Sequence, residues 1–480
     1  MSLPTGIAAV GAFVPRLRLP RARIVEAIGW ANAPARSQPS GARSICNWDE
    51  DALTLAVEAA RSALASGTAH TIDALLVAST TLPFADRDNA ALIAAALDLP
   101  ESLQTLDCGA SLRAGTSALA RAAPQGKSAT LVVATDARRA RPASREELAF
   151  GHGAAAYLVT AVGADTLATL LGSTHLTSDF VDHYRMADED FDYSLEERWV
   201  RDEAYSKLVP RAVESALAAL AIAPDAIRHF VVPAPAAIAA RLAARCKFDP
   251  GTVAETLHAS CGDTGTAHPL LMLAAVLESA APGEHIVVVG FGQGVDVLVL
   301  RTEAALAKRR LRPVAATLAR AAEEKSYLRY LAHAGILDVD FGMRAERDSR
   351  SAHSVAYRKR RAVSGFVGGR CSACATVQFP RSRVCVNPEC RASDTQQDFR
   401  LADREGRVKS FTEDWQAFSP RPPYSYGNVE FDAGGNLFMD LADFEPGELA
   451  VNARVRFMFR IKDFDRLRGF RRYFWKAVKV

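Results

Sequence analysis

Apolar residues in the first 302 positions fall into short runs, which are separated by stretches rich in Ala and Leu. Runs such as residues 129–135 show no alternation of apolar and polar positions, which is typical of strands buried on both faces of a sheet. The intervening stretches, such as residues 212–223, have the composition of core helices. This pattern predicts an α/β body with helices on both sides of its strands.

Three of these apolar runs return later in the chain: residues 72–78, 129–135 and 154–160, then 227–232, 285–290 and 295–302. The first two runs begin 57 residues apart in one copy and 58 in the other. Each copy also carries a turn with Gly and Thr before a small-residue helix, at residues 107–116 and 261–268. We therefore expect two copies of one βαβ-rich unit, packed so that the two turns meet near the centre.

Six segments, in this order, resemble the thiolase superfamily and, within it, the HMG-CoA synthases and type III ketoacyl synthases: residues 6–15, 49–60, 113–116, 151–155, 262–265 and 290–294. The resemblance covers roughly residues 6 to 302. It implies a duplicated α/β/α/β/α layered body, a homodimer, an acyl-CoA substrate and carbon–carbon bond chemistry at a thioester.

The resemblance also implies three catalytic groups that this chain lacks. Enzymes of the HMG-CoA synthase type use a cysteine, a glutamate and a histidine. Their cysteine falls on Leu112, their glutamate on Thr80 and their histidine on Pro233. Leucine cannot be acylated, so HMG-CoA synthesis is not expected.

Covalent acyl transfer by other residues is one hypothesis for this chain. Cys108, one helical turn before Leu112, would act as the nucleophile, with Asp263 and His268 as a carboxylate and base from the second copy. Structural roles are alternatives for all three residues. Cys108 would then be a small buried side chain, Asp263 a helix cap and His268 a structural residue at the start of an apolar helix.

Two further hypotheses need no nucleophile. The first is non-covalent aldol or retro-aldol chemistry on a 3-hydroxyacyl-CoA, which requires only proton transfer and stabilisation of an enolate. The second is a catalytically silent scaffold or an acyl-CoA-binding subunit of a larger thiolase complex. The sequence identifies no CoA-binding residues.

The strongest local motif is a set of four cysteines: Cys371, Cys374, Cys385 and Cys390. Their C-x2-C and C-x4-C spacing predicts a structural Zn²⁺ in a ribbon, and Gly368 and Gly369 before the first pair would allow a tight turn. Because all four positions are thiolates, no open coordination site is expected. A rubredoxin-like iron site and two disulfides are the alternatives.

Short strands with turn signals follow, near residues 406–412, 436–441 and 455–461, and predict a five-stranded OB-type barrel. Residues 325–480 resemble the DUF35 family, zinc-ribbon OB proteins that accompany thiolase-like enzymes. The basic and aromatic ending, residues 460–476, suits the phosphates and adenine of coenzyme A, and we expect the module to shape the CoA entrance. Single-stranded nucleic acid is the less favoured ligand.

Composition adds limits to this picture. The chain has 480 residues, 58 basic and 55 acidic, so its net charge of +3 indicates no partner. No apolar run reaches the roughly 18 residues of a membrane span. Eight cysteines and no apolar leader favour the cytoplasm. The predicted domains are two thiolase-like halves, a helical and charged linker, a zinc ribbon and an OB barrel, at residues 1–165, 166–305, 306–364, 365–400 and 401–480.

Overall fold

The computed structural model describes residues 4–32, 40–65, 70–122, 128–341, 352–465 and 467–480. The chain divides into two compact units. The first spans Met1–Asn47, Asp51–Ala91 and Glu101–Ala334, and the second spans Trp48–Glu50, Leu92–Pro100 and Gly335–Val480. The predicted five-part division stays a prediction.

The strands before Gly335 are β1 (Thr5–Phe13), β2 (Leu17–Pro20), β3 (Ala42–Ile45), β4 (Ile72–Ala78), β5 (Gln104–Cys108), β6 (Ala129–Ala137), β7 (His152–Ala161), β8 (Ala168–Thr177), β9 (His183–Tyr184), β10 (Tyr193–Ser194), β11 (Ile227–Val231), β12 (His285–Phe291), β13 (Gly294–Thr302) and β14 (Ala322–Glu323). The helices are α1 (Arg21–Ile28), α2 (Ala52–Leu64), α3 (Asn89–Ala96), α4 (Ala114–Arg121), α5 (Arg145–Ala149), α6 (Glu197–Trp199), α7 (Ser206–Leu220), α8 (Ala236–Arg245), α9 (His268–Leu277), α10 (Pro313–Leu318) and α11 (Tyr327–His333).

Nine strands form one sheet in the order β11-β12-β13-β8-β1-β7-β6-β4-β5. In the first half β4 pairs in parallel with β6, and β6 pairs antiparallel with β7. The second half repeats this arrangement, because β11 is parallel to β12 and β12 is antiparallel to β13. The predicted internal repeat is therefore present in the strand topology, and the two halves join through a ladder of three residue pairs between β1 and β8.

Both faces of the strands are buried, as the unbroken apolar runs predicted. On β12, Ile286 and Val288 belong to the central core cluster, together with Leu270 of α9. The alternate residues Val287 and Val289 belong to a second cluster, which contains α7 and α8. Because successive side chains of a strand point to opposite faces, one strand contributes to both cores. The predicted layered α/β arrangement is confirmed.

The central helix α4 lies against strands and turns of the second half at van der Waals distance. A Cβ on Gly115 would lie 2.4 Å from the carbonyl oxygen of Thr266. A Cβ on Gly290 would lie 1.9 Å from the hydroxyl of Thr116. Both distances are too short for any side chain, so these two glycines allow the two repeats to meet.

The segment predicted as a helical and charged linker, residues 306–364, contains α11. The side chains of Tyr327, Tyr330 and Leu331 on this helix are buried in the first unit. The charged run at 344–361 falls partly outside the described residues, because residues 342–351 are not described. Its described part forms two short helices, α12 (His353–Arg358) and α13 (Arg360–Val363).

The second unit contains the ribbon strands β15 (Val367–Cys371), β16 (Val377–Gln378) and β17 (Gln396–Arg400), and the strands β18 (Glu405–Asp414), β19 (Tyr424–Phe431), β20 (Asn436–Ala442), β21 (Arg454–Asp465) and β22 (Phe470–Lys479). The last five close into a barrel in the order β18-β19-β20-β22-β21, which confirms the predicted five strands.

The expected turn at Gly368 and Gly369 is wrong, because both residues lie within β15. A Cβ on Gly368 would lie 2.6 Å from the carbonyl oxygen of Gln378, and one on Gly369 would lie 2.4 Å from the side chain of Gln396. These glycines therefore allow the neighbouring ribbon strands to approach closely.

A buried network of charges stabilises the second unit. The Asp49 carboxylate accepts from Lys476 at 3.0 Å and from Arg460 at 3.2 Å, and all three side chains are buried. Arg460 also contacts Glu50 and Asp443, each at 2.8 Å. Burial opposes ionisation of Asp49, but the fields of Lys476 and Arg460 outweigh it and lower the pKa of the carboxyl.

We expect Asp49→Ala to destabilise the second unit by about 3 kcal/mol, because it removes the buried carboxylate that pairs with both Lys476 and Arg460. Since the folded pKa of Asp49 is lowered, its stabilisation is present above about pH 4 and is lost as the pH falls further. Urea unfolding followed by fluorescence of the buried Trp475 measures both effects. The exposed Lys409–Glu430 pair provides the control, because Glu430→Gln should cost less than about 1 kcal/mol. Equal effects of the two substitutions would contradict a structural role for Asp49.

Candidate functional site

A cavity of about 400 Å³ lies in the first unit, at the ends of several strands. It is bordered by the loop after β4, the turn before α4, the β12–β13 hairpin and the β9–β10 segment. Its lining residues are Ser79, Thr80, Leu82, Ala110, Ser111, Leu112, His183, Tyr184, Arg185, Asp192, Gly292 and Gln293. Most of these side chains are polar, and they include His183, Arg185 and Asp192.

The turn before α4 forms one wall of this cavity. Ser111 donates a hydrogen bond from its hydroxyl to the carbonyl oxygen of Gly292 at 2.8 Å, which fixes the turn against the hairpin of the second half. Ala110 has a φ of +69°, a left-handed conformation that is costly for a residue other than Gly. A Cβ on Gly292 would lie 2.7 Å from the Ser111 hydroxyl, so the hairpin requires glycine there.

The loop after β4 is held by the buried carboxylate of Asp136, at the end of β6. One oxygen of Asp136 accepts from the hydroxyls of Ser79, Thr80 and Thr81 at 3.0, 3.1 and 2.8 Å, and from the Thr80 backbone N–H at 2.8 Å. Thr80, the position of the synthase glutamate in the resemblance, therefore points its hydroxyl hydrogen at a neighbouring carboxylate.

Asp136 also fixes the Gly-containing turn of the second half, residues 261–268. Its other oxygen accepts from the backbone N–H of Thr266 at 2.8 Å. Gly265 has a φ of +62°, and a Cβ there would lie 2.4 Å from the same carboxylate oxygen. Asp136 therefore joins the loop after β4 to this turn. The two predicted turns, residues 107–116 and 261–268, meet where Gly115 approaches the carbonyl oxygen of Thr266. Asp136 was not among the predicted site residues. Its signal in the sequence is an acidic residue directly after the apolar run at 129–135.

Alternating charges run from the cavity wall to the Gly-rich turn of the second half. Arg185 donates to one oxygen of Asp192 at 3.2 Å, and buried Arg138 donates to the other at 2.6 Å. Arg138 also lies 3.7 Å from Asp263 and 3.6 Å from the ring centroid of Phe150. Burial disfavours the charge of Arg138, but Asp192 and Asp263 outweigh it and raise the pKa of the guanidinium.

Asp263 lies on the same turn as His268, as predicted. It accepts at 2.9 Å from the backbone N–H of Gly265, the first residue of the short 3₁₀ turn before α9. Burial opposes its ionisation, but His268 and Arg138 outweigh it and lower the pKa of the carboxyl. Asp263 is absent from the cavity lining.

His268 is fully buried, and the backbone engages both of its ring nitrogens. Its Nδ1 accepts from the Thr264 N–H at 3.2 Å, and its Nε2 donates to the Thr256 carbonyl at 2.9 Å. Burial and the neighbouring His258 ring, whose centroid is 4.6 Å away, lower the pKa of His268 to about 4. A neutral imidazole with hydrogen-bond partners at both nitrogens has the geometry of a structural residue. A catalytic role for His268 stays a prediction.

Cys108 lies at the end of β5, half-buried against the central core. Burial and the adjacent Asp107 raise the pKa of its thiol, which disfavours the reactive thiolate. Cys108 does not line the cavity, whereas Leu112 does. The structure therefore does not bring Cys108 into the cavity. Pro233 does not line it either, and its carbonyl oxygen accepts from the Tyr205 hydroxyl at 3.4 Å.

A histidine that sequence analysis did not select lies in the cavity wall. His183 receives its orientation from Asp182, whose carboxylate lies 2.7 Å from the ring Nδ1. The two residues are adjacent in sequence. The sequence feature that could have indicated this site is the Asp-His pair followed by Tyr184 and Arg185.

The four ribbon cysteines form a cluster in the second unit, with all four sulfur atoms within 4.8 Å of one another. The Cys371–Cys390 and Cys374–Cys385 sulfur distances are 3.9 and 3.5 Å. A tetrahedral ZnS₄ centre with Zn–S bonds of about 2.3 Å requires sulfur separations of about 3.8 Å. Hydroxyls of Thr395 and Thr376 lie 3.2 Å from Cys371 and Cys374, as outer-shell partners do. The four thiolates therefore fit a tetrahedral metal.

Two family models match the second unit. A family model described as "ChsH2, rubredoxin-like zinc ribbon domain" matches residues 358–396. Another, described as "ChsH2, C-terminal OB-fold domain", matches residues 400–460. These matches decide between the metals considered for the ribbon in favour of zinc.

Curated relatives cover about two thirds of the chain. A hydroxymethylglutaryl-CoA synthase from Thermococcus sibiricus is 29% identical over 346 residues, which is 69% of this chain and 96% of that protein. The corresponding enzyme from Methanocella arvoryzae is 29% identical over 357 residues, 70% of this chain and 99% of that protein.

Solved structures agree on the fold. The crystal structure of an HMG-CoA synthase complexed with CoA has a TM-score of 0.60 at 17% identity, covering 68% of this chain and 89% of that one. The 3-oxoacyl-(acyl carrier protein) synthase III of Pseudomonas aeruginosa PAO1 has a TM-score of 0.56 at 23% identity, covering 62% and 98%.

The chain is a thiolase-like body fused to a zinc-ribbon and OB-fold module. Both predicted resemblances are thereby confirmed at the level of fold and domain type. The four cysteines of the ribbon hold a structural zinc, whose thiolate set leaves no open coordination position. Among the described residues, no helix of the thiolase-like body or of the module combines the length and apolarity needed to cross a bilayer.

Zinc content tests the ribbon. We expect one Zn²⁺ per chain by elemental mass spectrometry, and its loss in Cys374→Ser, because three thiolates hold the ion far less tightly than four. Thermal stability should fall with the zinc. Cys108→Ser, which alters a half-buried cysteine outside the ribbon, should keep the full zinc content. Iron in the purified protein, or zinc retained by Cys374→Ser, would contradict this assignment.

The pH dependence of unfolding tests the neutral state of His268. Its pKa of about 4 in the folded protein is below the unfolded value of about 6.5, so the unfolded chain binds more protons between these values. Stability should therefore fall as the pH drops from 6.5 towards 4, and His268→Gln should reduce this slope by about 1 kcal/mol per pH unit. Urea unfolding between pH 5 and 6.5 measures the slope, and an unchanged slope in the variant would contradict the buried neutral imidazole.

Proposed function

We propose that this protein makes or breaks a carbon–carbon bond next to the thioester of an acyl-CoA. The observation that carries the proposal is the cavity of the thiolase-like body, which is lined by Thr80 and Leu112. These are the positions at which the resemblance puts the glutamate and cysteine of HMG-CoA synthases. The names of the relatives and the CoA of the structural neighbour support the substrate class.

The chemistry best supported is an aldol or retro-aldol reaction without an acyl-enzyme. Leu112 has no nucleophilic atom, and Cys108 lies outside the cavity with a thiol whose pKa is raised. In the cleavage direction a base takes the proton of the 3-hydroxyl of a 3-hydroxyacyl-CoA. The C2–C3 bond breaks, its electron pair passes to C2 and the thioester oxygen, and a carbonyl compound leaves. Protonation of the enolate at C2 gives the shortened acyl-CoA.

Two features of the cavity favour the charge that such a reaction develops. The cavity-lining residues Ala110 to Leu112 directly precede α4, so the partial positive charge at the N-terminal end of this helix lies beside the cavity and favours a thioester oxygen that gains negative charge. Arg185 adds a cation to the same wall and is held by Asp192. These groups are fixed before substrate arrives, so they are suited to stabilising the enolate.

The size and polarity of the cavity limit the acyl group. At about 400 Å³ it accommodates a small or medium-sized acyl group rather than the whole of an acyl-CoA. Its hydroxyls, carboxylate and guanidinium favour an acyl group that carries oxygen. A contribution of the OB barrel to CoA binding, the homodimer and the cytoplasmic location stay predictions.

Mass spectrometry of the intact protein combined with turnover assays separates the possible mechanisms. We expect cleavage or synthesis with a 3-hydroxyacyl-CoA, no acyl adduct on the protein, and a rate within about threefold of wild type in Cys108→Ala. Proton transfer and enolate stabilisation need no thiol, which is the reason for this expectation.

Other outcomes identify the alternatives. An adduct that disappears in Cys108→Ala would replace the aldol mechanism by covalent acyl transfer. If calorimetry with folded, zinc-loaded protein detects no binding of acyl-CoA or CoA, the enzyme proposal fails. Binding without turnover of any acyl-CoA would favour the silent scaffold.

A further inference from the structure

We infer that His183, oriented by Asp182, is the proton-transfer residue of the thiolase-like body. This inference rests on the proposed function, because it assigns the base that the aldol reaction needs. The His183 ring lines the cavity, and its Nδ1 lies 2.7 Å from a carboxylate oxygen of Asp182. No residue of the synthase motifs coincides with this pair.

The hydrogen bond to Asp182 defines the tautomer of His183. An ionised carboxylate only accepts hydrogen bonds, so Nδ1 carries the proton of the neutral ring. Nε2 is then an acceptor, and no hydrogen bond to it is formed by the residues that the structure describes. An imidazole with Nδ1 held by a carboxylate and Nε2 available for a substrate hydroxyl is the arrangement of a general base.

The neighbouring histidines lack this arrangement. His268 and His152 use both ring nitrogens for backbone groups inside the core. His175 contacts buried Asp296 at 2.8 Å but does not line the cavity. Within the described part of the cavity wall, His183 is the histidine that combines a carboxylate partner with an accessible position.

A short hairpin holds His183 in place. The backbone of His183 lies opposite Ser194, and Tyr184 lies opposite Tyr193, with the two tyrosine rings 5.4 Å apart. The Leu195 N–H donates to the Asp182 carbonyl at 2.9 Å. Both members of the pair are thus fixed at the backbone as well as at the side chain.

The second oxygen of the Asp182 carboxylate, Oδ1, is buried and has no hydrogen-bond partner among the described residues. The charged and titratable groups that face the cavity beside His183 are Tyr184, Arg185 and Asp192, and Arg185 and Asp192 are paired with each other. Tyr205 lies within the field of Asp182, and burial raises the pKa of its hydroxyl well above the usual value. Asp182 therefore provides the orienting charge for His183.

In the proposed cleavage, His183 Nε2 takes the proton of the substrate 3-hydroxyl as the C2–C3 bond breaks. The imidazolium is stabilised by Asp182 and returns this proton to C2 of the enolate, which restores the neutral ring. Protons and electron pairs balance without any further reactant. The reverse sequence applies to bond formation.

Steady-state kinetics of His183→Gln and Asp182→Asn with a 3-hydroxyacyl-CoA test the inference. We expect His183→Gln to lose at least 100-fold in kcat while acyl-CoA binding by calorimetry stays within threefold. Asp182→Asn should lower kcat by about tenfold. It should also move the acidic limb of the kcat/KM profile to lower pH, because the imidazolium loses its charged partner.

A histidine–aspartate pair outside the cavity provides the matched control. His70 and Asp165 are 2.7 Å apart in the same unit and do not line the cavity. His70→Gln and Asp165→Asn should leave kcat and the pH profile unchanged. If His183→Gln is less stable, the shifted pH profile of Asp182→Asn still reports on the role of the pair.

Contrary results separate this inference from the proposed function. A wild-type protein that turns over acyl-CoA, with a folded His183→Gln that keeps more than one fifth of kcat, would overturn the role of His183 alone. An unshifted pH profile in Asp182→Asn would overturn the role of Asp182. A wild-type protein without turnover or binding of any acyl-CoA would overturn the proposed function and this inference together.

Discussion

The hydrogen bonding of the Asp136 carboxylate is the interaction on which the cavity depends. A carboxylate without access to water must collect donors from the protein, because an unpaired buried charge is strongly destabilising. Asp136 collects them from two loops that belong to different repeats: Ser79 to Thr81 after β4, and Thr266 before α9. The hydrogen bonds that this buried carboxylate requires therefore fix the loop after β4 and the turn before α9 relative to each other.

Most of the fold could be predicted from the sequence because its strands are buried on both faces. Such strands leave uninterrupted apolar runs, and β4 matches its predicted limits of 72–78. The repeat was visible because both copies preserve the spacing between their first two strands. The ribbon was predictable for a different reason, since tetrahedral coordination demands pairs of thiolates at short spacing. Gly368 and Gly369 were misinterpreted because a glycine that permits a turn looks, in sequence, like a glycine that permits close packing of strands.

The site was predictable only in part. The resemblance led to Thr80 and Leu112, and both residues line the cavity. Asp263 and His268 were selected as a carboxylate and a base, and they lie on one turn, but the sequence could not reveal that backbone groups engage both nitrogens of His268. The ion pair of Arg138 with Asp192 joins residues 54 positions apart, so no local pattern indicates it. His183 and Asp182 are adjacent in sequence, yet only the fold shows that they border a cavity.

The hydroxyl groups around Asp136 have one further consequence. Ser79 accepts from the Thr81 N–H at 2.9 Å, and Thr81 accepts from the Ala137 N–H at 2.9 Å, while both direct their hydrogens to Asp136. Neither hydroxyl is free to rotate, so the Ser79 dipole in the cavity wall has a direction that is set before any ligand enters. A ligand that matches this dipole binds with little free-energy cost of reorganisation. A ligand of opposite polarity would require the hydroxyl to turn away from the buried Asp136 carboxylate, which is unfavourable.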